Sequence, residues 1–138
     1  MNPTDPCPCG SGHEFGACCG PYLDGSIEPP TALALMRSRY TANTLGREDY
    51  LQATWHPETR PAQPGVAPAV RWSGLRVLET RAGNPEDTTG MVEFIALYRV
   101  GSRPYRLHEI SQFSRAGGRW YYRSGTAGAA NKPPRQGG

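Results

Sequence analysis

The four cysteines of this 138-residue chain all lie near its N-terminus, as Cys7-Pro8-Cys9 followed by the adjacent Cys18 and Cys19. Four thiolates in one short loop supply the soft donors that a tetrahedral metal ion takes in a structural site, where protein atoms fill every position. Gly10 and Gly12 permit a tight turn after the second cysteine, and the backbone N–H groups of this turn can face the sulfurs. The spacing therefore predicts a four-cysteine metal centre.

Two other states of the cysteines are a disulfide framework and four free thiols. A bond between Cys7 and Cys9, or between Cys18 and Cys19, would close a very small and strained ring. His13 lies in the loop and could replace one cysteine, but four thiolates already satisfy a tetrahedral ion, so we expect this histidine to be solvated. We predict Zn²⁺ as the bound ion, with iron as the alternative, because iron accepts the same ligands.

The residues around the cysteines resemble a known family. The pattern Cys-x-Cys-Gly-Ser-Gly followed by Cys-Cys is similar to the SEC-C motif, a zinc knuckle named for its place at the C-terminus of the translocation motor SecA. Residues 19–25, 35–40 and 54–57 continue the likeness and resemble the bacterial YchJ family, in which such a knuckle is joined to an NTF2-like domain. The resemblance runs from about Cys7 to Tyr122 and implies an NTF2-like fold after the knuckle.

The order of apolar and turn residues predicts two helices followed by an antiparallel sheet. The first helix begins after Thr31 as N-cap and ends near Gly46, and residues 47–55 form the second. Leu33, Met36 and Tyr40 share the face of the first helix that packs on the sheet. The strands are predicted at residues 70–80 with a bend at Gly74, 91–100, 105–115 and 119–123.

This order of elements is an α+β arrangement, compatible with an NTF2-like cone in which a curved sheet wraps around N-terminal helices. We divide the chain into a zinc knuckle at residues 1–25, an NTF2-like domain at residues 30–125 and a disordered tail at residues 126–138. The proline-rich stretch at residues 58–69 is expected to be an irregular connector.

Charge and hydropathy bear on location and partners. No apolar run approaches the length of a membrane span, and the first six residues lack the features of a signal peptide, so we expect a cytoplasmic protein without membrane insertion. The formal charge of +3 falls to about +1 when four thiolates hold Zn²⁺. Residues 70–123 carry nine arginines against five acidic residues, which indicates a solvated basic sheet face, with ribosome or RNA binding as the alternative.

A pocket between helix and sheet is the second candidate site. Its predicted residues come from both helices and the third strand, and they are Arg37, Tyr40, Trp55, His56, His108 and Glu109. Adjacent residues of a strand face opposite sides, so only one of the last two can line the pocket. The structural alternatives are core packing for the tryptophan, a helix-end role for His56 and an Arg37–Glu109 ion pair. The chain has no phosphate-binding glycine loop and no nucleophilic-serine elbow.

The four cysteines predict a metal-binding adaptor rather than an enzyme, with a protein or ribonucleoprotein as its partner. The SecA knuckle that this motif resembles is linked to binding of the chaperone SecB, and we expect Phe15 to be the exposed residue that contacts a partner, unless it covers the metal. The alternative is an NTF2-like small-molecule enzyme or ligand-binding protein that uses His56 or His108. A homodimer formed through the sheet is compatible with either function.

Overall fold

The structure, a computed structural model, describes residues 1–61 and 70–127. A 3₁₀ turn at Phe15–Ala17 and a one-turn helix α1 at Gly20–Leu23 follow the cysteine loop. Two further helices and four strands complete the fold, and their bounds are α2 Ala32–Leu45, α3 Glu48–Ala53, β1 Arg71–Ala82, β2 Thr89–Val100, β3 Arg103–Ala116 and β4 Arg119–Ala127. No helix within the described ranges is long and apolar enough to cross a bilayer.

The four strands form one antiparallel sheet in the order β1-β2-β3-β4, so each strand pairs with its neighbour in sequence. The register between β1 and β2 shifts between Trp72 and Gly74, which is the bend predicted at this glycine. Val92, Phe94 and Ala96 of β2 are buried at alternate positions and form the inner face that packs on the helices. The predicted α+β class and the helix-on-sheet layering are both confirmed.

Helix α2 has the start and the end that the sequence predicts. The Thr31 side chain accepts a hydrogen bond of 3.0 Å from the Ala34 N–H, and Gly46 ends the helix with a φ of 72°. Met36 and Tyr40 are buried, and Leu33 packs partly buried against the same core. The apolar face of α2 therefore packs on the sheet as predicted.

The remaining elements differ from prediction at their ends. Helix α3 stops at Ala53, and Trp55 instead makes an isolated parallel bridge with Tyr122 of β4. Strand β4 is longer than predicted, because Thr126 and Ala127, assigned to the tail, pair with β3. The rest of the predicted tail, residues 128–138, and most of the predicted connector, residues 62–69, lie outside the described residues.

The cysteine loop and the predicted NTF2-like domain share one hydrophobic core. Cys7, Cys9 and Cys19 belong to the same buried cluster as Leu35 and Met36 of α2 and the inner face of the sheet. A segment of about 25 residues is too small to bury a core of its own, so its apolar surface packs on the neighbouring helix instead. The division between residues 1–25 and 30–125 is therefore a division in sequence but not in packing.

The hairpin between β1 and β2 fixes the start of α2. The Ala32 N–H donates a hydrogen bond of 3.0 Å to the Gly83 carbonyl oxygen. Gly83 and Gly90 face one another so closely that a Cβ on Gly90 would lie 2.6 Å from Gly83 Cα and 2.9 Å from Ala32 Cβ. This glycine pair lets α2 approach the sheet closely.

Replacing Gly90 with alanine is expected to lower the free energy of unfolding by about 1–3 kcal/mol, because the added methyl group overlaps backbone that cannot move independently. Chemical denaturation followed by circular dichroism measures this change. Thr89→Val is the matched control, since it alters an exposed side chain of the neighbouring residue and keeps its β-branch. Equal stability of the Gly90→Ala and Thr89→Val variants would contradict the packing described here.

Candidate metal centre and helix–sheet cavity

The four cysteines converge on one point. The Sγ atoms of Cys7, Cys9, Cys18 and Cys19 all lie within 4.8 Å of one another, and Cys9 Sγ is 3.6 Å from Cys18 Sγ. A tetrahedral zinc ion with Zn–S bonds of about 2.3 Å separates its sulfurs by about 3.8 Å. The four thiols are free rather than joined in disulfides. The donor set fits a tetrahedral metal ion.

Local backbone geometry brings the two cysteine pairs together. Gly10 and Gly12 take left-handed φ values of 75° and 88°, which an L side chain rarely adopts. The Cys7 N–H donates to the His13 carbonyl oxygen at 3.0 Å, which closes the loop. The 3₁₀ turn then reverses the chain, and the Cys18 N–H donates to the Phe15 carbonyl oxygen at 3.1 Å. These turns set both pairs on one side of the loop.

Hydrogen bonds and burial shift the pKa values of Cys9, Cys18 and Cys19 in different directions. Hydrogen bonds from the Cys19 thiol and from Ser11 lower the pKa of Cys9 to about 4. The same bond to Cys9, together with burial, raises the pKa of Cys19 well above its usual range, and burial raises the pKa of Cys18. Cys9 is therefore the most acidic of these three thiols, and a metal ion displaces thiol protons as it binds.

The centre is closed on most sides. Cys9 and Cys19 are fully buried and Cys7 nearly so, while Cys18 is half-buried and marks the edge nearest to solvent. His13 is exposed and does not belong to the cluster. Four protein donors with little access for water have the character of a structural metal site.

Helix α2 supplies two contacts to the metal loop. The Thr41 hydroxyl is fully buried, donates to Cys19 Sγ at 3.3 Å and lies 3.8 Å from Cys7 Sγ. One turn earlier, Arg37 Nη1 donates to the Cys9 carbonyl oxygen at 2.7 Å. Arg37 was predicted to line the pocket or to pair with Glu109, and both predictions are wrong because its guanidinium group reaches the loop instead. No sequence pattern drew attention to Thr41.

A cavity of about 240 Å³ lies between the helices and the inner face of the sheet. Its walls are mostly aromatic and aliphatic, with a few polar groups. Residues that line it include Met36, Arg39, Tyr40, Asn43, Leu51, Trp55, Trp72, Phe94, Ala96, Leu107, Glu109, Ser111, Phe113 and Tyr122. The cone is therefore hollow, which the sequence could not indicate.

Three of the six residues predicted for the pocket line this cavity, and they are Tyr40, Trp55 and Glu109. His108 faces the opposite side of the sheet, where its Nε2 lies 2.6 Å from Glu93 Oε2. The alternation of side chains along β3 separates it from Glu109, as expected for adjacent strand residues. His56 packs edge-on against Tyr121, and its Nδ1 accepts the Glu58 N–H at 3.1 Å. The prediction that His56 and His108 belong to the pocket is wrong.

Arg39 lines the cavity and was not among the residues predicted for it. Its Nη1 donates to the Leu51 carbonyl oxygen at 2.8 Å and to Thr54 Oγ1 at 2.6 Å, which ties α2 to α3. Its guanidinium carbon lies 4.6 Å from the centre of the Tyr122 ring. Burial lowers the pKa of Arg39 to about 10, so the group remains charged at neutral pH. Its spacing from Met36 and Asn43, three and four residues away, was the available signal.

Comparison with known proteins identifies the family. Residues 31–125 match the family described as YchJ, middle NTF2-like domain, and residues 4–21 match the SEC-C motif. The chain belongs to the YchJ family. A UPF0225 protein from Chromobacterium violaceum is 54% identical over 123 residues, which cover 86% of this chain and 90% of the relative. A UPF0225 protein from Streptomyces coelicolor is 50% identical over 123 residues, which cover 89% of this chain and 96% of the relative.

Two solved structures share the fold of this YchJ-family chain. The solution structure of RPA3114, a SEC-C motif containing protein from Rhodopseudomonas palustris, is 37% identical, with a TM-score of 0.77 over 92% of this chain and 98% of its own. The crystal structure of a SEC-C motif containing protein from Psychrobacter arcticus is 24% identical, with a TM-score of 0.73 over 94% of this chain and 86% of its own. Because the Psychrobacter arcticus protein is only 24% identical, its similarity to this chain shows the fold alone.

Phe15 of this YchJ-family chain is half-buried rather than exposed. Its ring packs against both hydrophobic clusters, and a Cβ on Gly20 would lie 3.2 Å from its Cε2 atom. The absence of a side chain at Gly20 leaves room for the ring. Phe15 is therefore less exposed than expected, because its ring fills space between the cysteine loop and the helices, and its contact with a partner stays a prediction.

Replacing Thr41 with valine removes a buried hydroxyl from the metal centre while keeping the side chain's shape. Hydrogen bonds to metal ligands typically change metal affinity by about 10–100-fold, so Thr41→Val is expected to weaken Zn²⁺ binding by about that factor. Competition with a chromophoric chelator measures the affinity. Thr44→Val is the matched control, since the Thr44 hydroxyl bonds to the Thr41 carbonyl oxygen and to no sulfur. Equal affinities of the two variants would refute a role for Thr41 at the metal centre.

Proposed function

We propose that this protein binds a small molecule in the cavity between the helices and the sheet, and that Zn²⁺ in the four-cysteine centre holds α2 in the position that shapes this cavity. The observation that carries the proposal is the cavity itself, about 240 Å³ in volume with aromatic walls and the charged Arg39 in its lining. A concave, mostly apolar pocket with a few polar groups is the usual form of a small-molecule site.

Zinc is the ion that suits the centre best. Four cysteine sulfurs in one mostly buried cluster can fill all four positions of a tetrahedral ion and leave none for substrate, which supports a structural role. Iron accepts four thiolates as well, but its characteristic contribution is electron transfer, and the cavity's function needs none. Free cysteines at this spacing also agree with a reducing compartment, so we propose that the protein works in the cytoplasm.

Small-molecule binding accounts for the geometry better than an adaptor function of the knuckle. The sulfurs and the Phe15 ring pack toward α2, so the side chain first considered for partner contact is occupied within the fold. Histidine acid–base catalysis gains no support either, since His56 and His108 both lie away from the cavity. We therefore propose binding as the function, with recognition of the ligand resting on Arg39 and the aromatic walls.

Filling the cavity should abolish binding without harming the metal centre. Ala96 is buried in the cavity wall, and Ala96→Leu adds three carbons to its lining. With indole as a neutral probe, we expect saturable shifts of cavity-residue NMR signals in the unmodified protein and at least about tenfold weaker binding in the variant. Ala116→Leu, at an exposed hairpin position, is the matched control and should bind as the unmodified protein does.

Two results would contradict this proposal. One is the absence of saturable indole binding to the zinc-loaded protein. The other is equal binding by Ala96→Leu and Ala116→Leu, which would locate any indole site outside the cavity.

A further inference from the structure

We propose that the cavity selects a small aromatic carboxylate, whose carboxylate group is received by the Arg39 guanidinium group and the Trp55 indole N–H. This inference rests on the proposed small-molecule function and adds the chemical class of the ligand. It follows from a mismatch between hydrogen-bond donors and acceptors in the cavity lining.

Two side chains of the cavity lining carry N–H donors that have no hydrogen-bond partner among the described residues. The hydrogen bonds of Arg39 to described residues both use Nη1, which leaves Nε and Nη2 for a ligand. The Trp55 Nε1 is buried and has no hydrogen-bond partner in the described part of the chain. A buried N–H without a partner costs free energy, so such a group is a candidate for ligand recognition. The Arg39 guanidinium carbon lies 5.5 Å from the centre of the Trp55 ring, so these two donor side chains are neighbours in the cavity lining.

The Glu109 carboxylate in the cavity lining already accepts hydrogen bonds from the protein. The Glu109 carboxylate accepts a hydrogen bond of 2.6 Å from the Ser111 hydroxyl and a second one from the Tyr122 hydroxyl. The carboxylate also packs directly against Gly125, where a Cβ atom would overlap it. Glu109 is therefore hydrogen-bonded within the protein, whereas the free N–H donors of Arg39 and Trp55 lack an acceptor. A ligand with acceptor oxygens satisfies this requirement.

The guanidinium group is suited to a carboxylate in this environment. Its flat fork of N–H groups matches two carboxylate oxygens, and hydrogen bonds between charged groups are stronger than neutral ones. Arg39 stays protonated at neutral pH although burial lowers its pKa to about 10. The apolar walls around it reduce screening by water, which strengthens attraction to an anion.

The walls and the volume define the rest of the ligand. Tyr40, Trp72, Phe94 and Phe113 line the cavity and offer ring faces and edges to an aromatic body. An apolar cavity of about 150 Å³ holds benzene. A volume of about 240 Å³ therefore has room for one ring that carries a short acidic side chain, or for a small bicyclic acid.

The experiment compares three probes that share one ring and differ in charge, namely phenylacetate, phenylacetamide and 2-phenylethylamine. Each is titrated into the full-length zinc-loaded protein and followed by NMR. We expect phenylacetate to bind about tenfold or more tighter than the amide, with the amine weakest, because the spare donors favour an ionised acceptor. The Trp55 indole N–H signal, assigned by its loss in Trp55→Phe, should move downfield with phenylacetate as it gains a hydrogen bond.

Two variants test the donors directly. Trp55→Phe keeps an aromatic ring and removes the N–H, so it should weaken phenylacetate binding by about tenfold while changing amine binding little. Trp120→Phe makes the same substitution at a tryptophan that does not line the cavity, whose indole N–H donates to the Pro30 carbonyl oxygen, and it is the matched control. Arg39→Gln should remove the preference for phenylacetate over phenylacetamide. Because Arg39 also joins α2 to α3, circular dichroism must show that this variant is folded.

The possible outcomes separate this inference from the function on which it rests. Saturable indole binding with no preference for phenylacetate over the amide and amine overturns the inference and leaves small-molecule binding in place. Preferential binding of the amine also overturns it and assigns recognition to Glu109. Equal binding of phenylacetate by Trp55→Phe, Trp120→Phe and the unmodified protein overturns the role proposed for the Trp55 indole N–H. The absence of binding by any ring compound overturns both proposals.

Discussion

The structure depends on the contact between the cysteine loop and helix α2. Thr41 donates a hydrogen bond to a metal-ligand sulfur, and Arg37 donates to the loop backbone one turn earlier. Two fully buried cysteines, Cys9 and Cys19, belong to the same hydrophobic cluster as Leu35 and Met36 of this helix. The metal centre is thus built from residues that are separated in sequence but joined through one helix. Displacing the loop would expose buried sulfurs and apolar surface together.

The same helix forms one wall of the cavity. Residues Arg37 and Thr41 point toward the loop, whereas Arg39, Tyr40 and Asn43 contribute to the cavity lining. In an α-helix, residues four apart lie on one face, so the helical period divides these contacts between two sides. A metal ion that fixes the loop also fixes α2, because folding and metal binding share their free energy in small cysteine sites. The four-cysteine centre and the helix–sheet cavity are therefore linked by one helix of fourteen residues.

The sequence was sufficient to predict the features that depend on local pattern. The four cysteines, the N-cap at Thr31, the ending at Gly46 and the bend at Gly74 each follow from a residue type at a fixed position. Strand alternation also predicted that only one of His108 and Glu109 faces the cavity. These predictions succeeded because backbone geometry alone decides them. The family resemblance supplied the name of the fold, which the pattern of helices and strands could not.

The features that the sequence analysis missed depend on contacts between distant segments. Arg37 and Arg39 are two residues apart on one helix, and only the packing of α2 decides which of them reaches the loop and which the cavity. Phe15 is a large apolar residue in a short loop, and its burial depends on the space that Gly20 leaves beside it. The hollow between helix and sheet depends on how far α2 stands from β2 and β3, a distance set by the whole core. A local sequence pattern therefore predicts neither the directions of these arginines, nor the burial of Phe15, nor the distance between helix and sheet.

Hydrogen exchange with and without metal tests the central claim that the metal centre holds α2. Mass spectrometry would follow the backbone amides of the zinc-loaded protein and of the protein after chelation. The account predicts that metal removal exposes the amides of the cysteine loop and also those of Ala32–Leu45, while the β2–β3 amides remain protected. Loss of protection confined to residues 7–19, with α2 unchanged, would contradict the account and show that the knuckle folds apart from the rest of the chain.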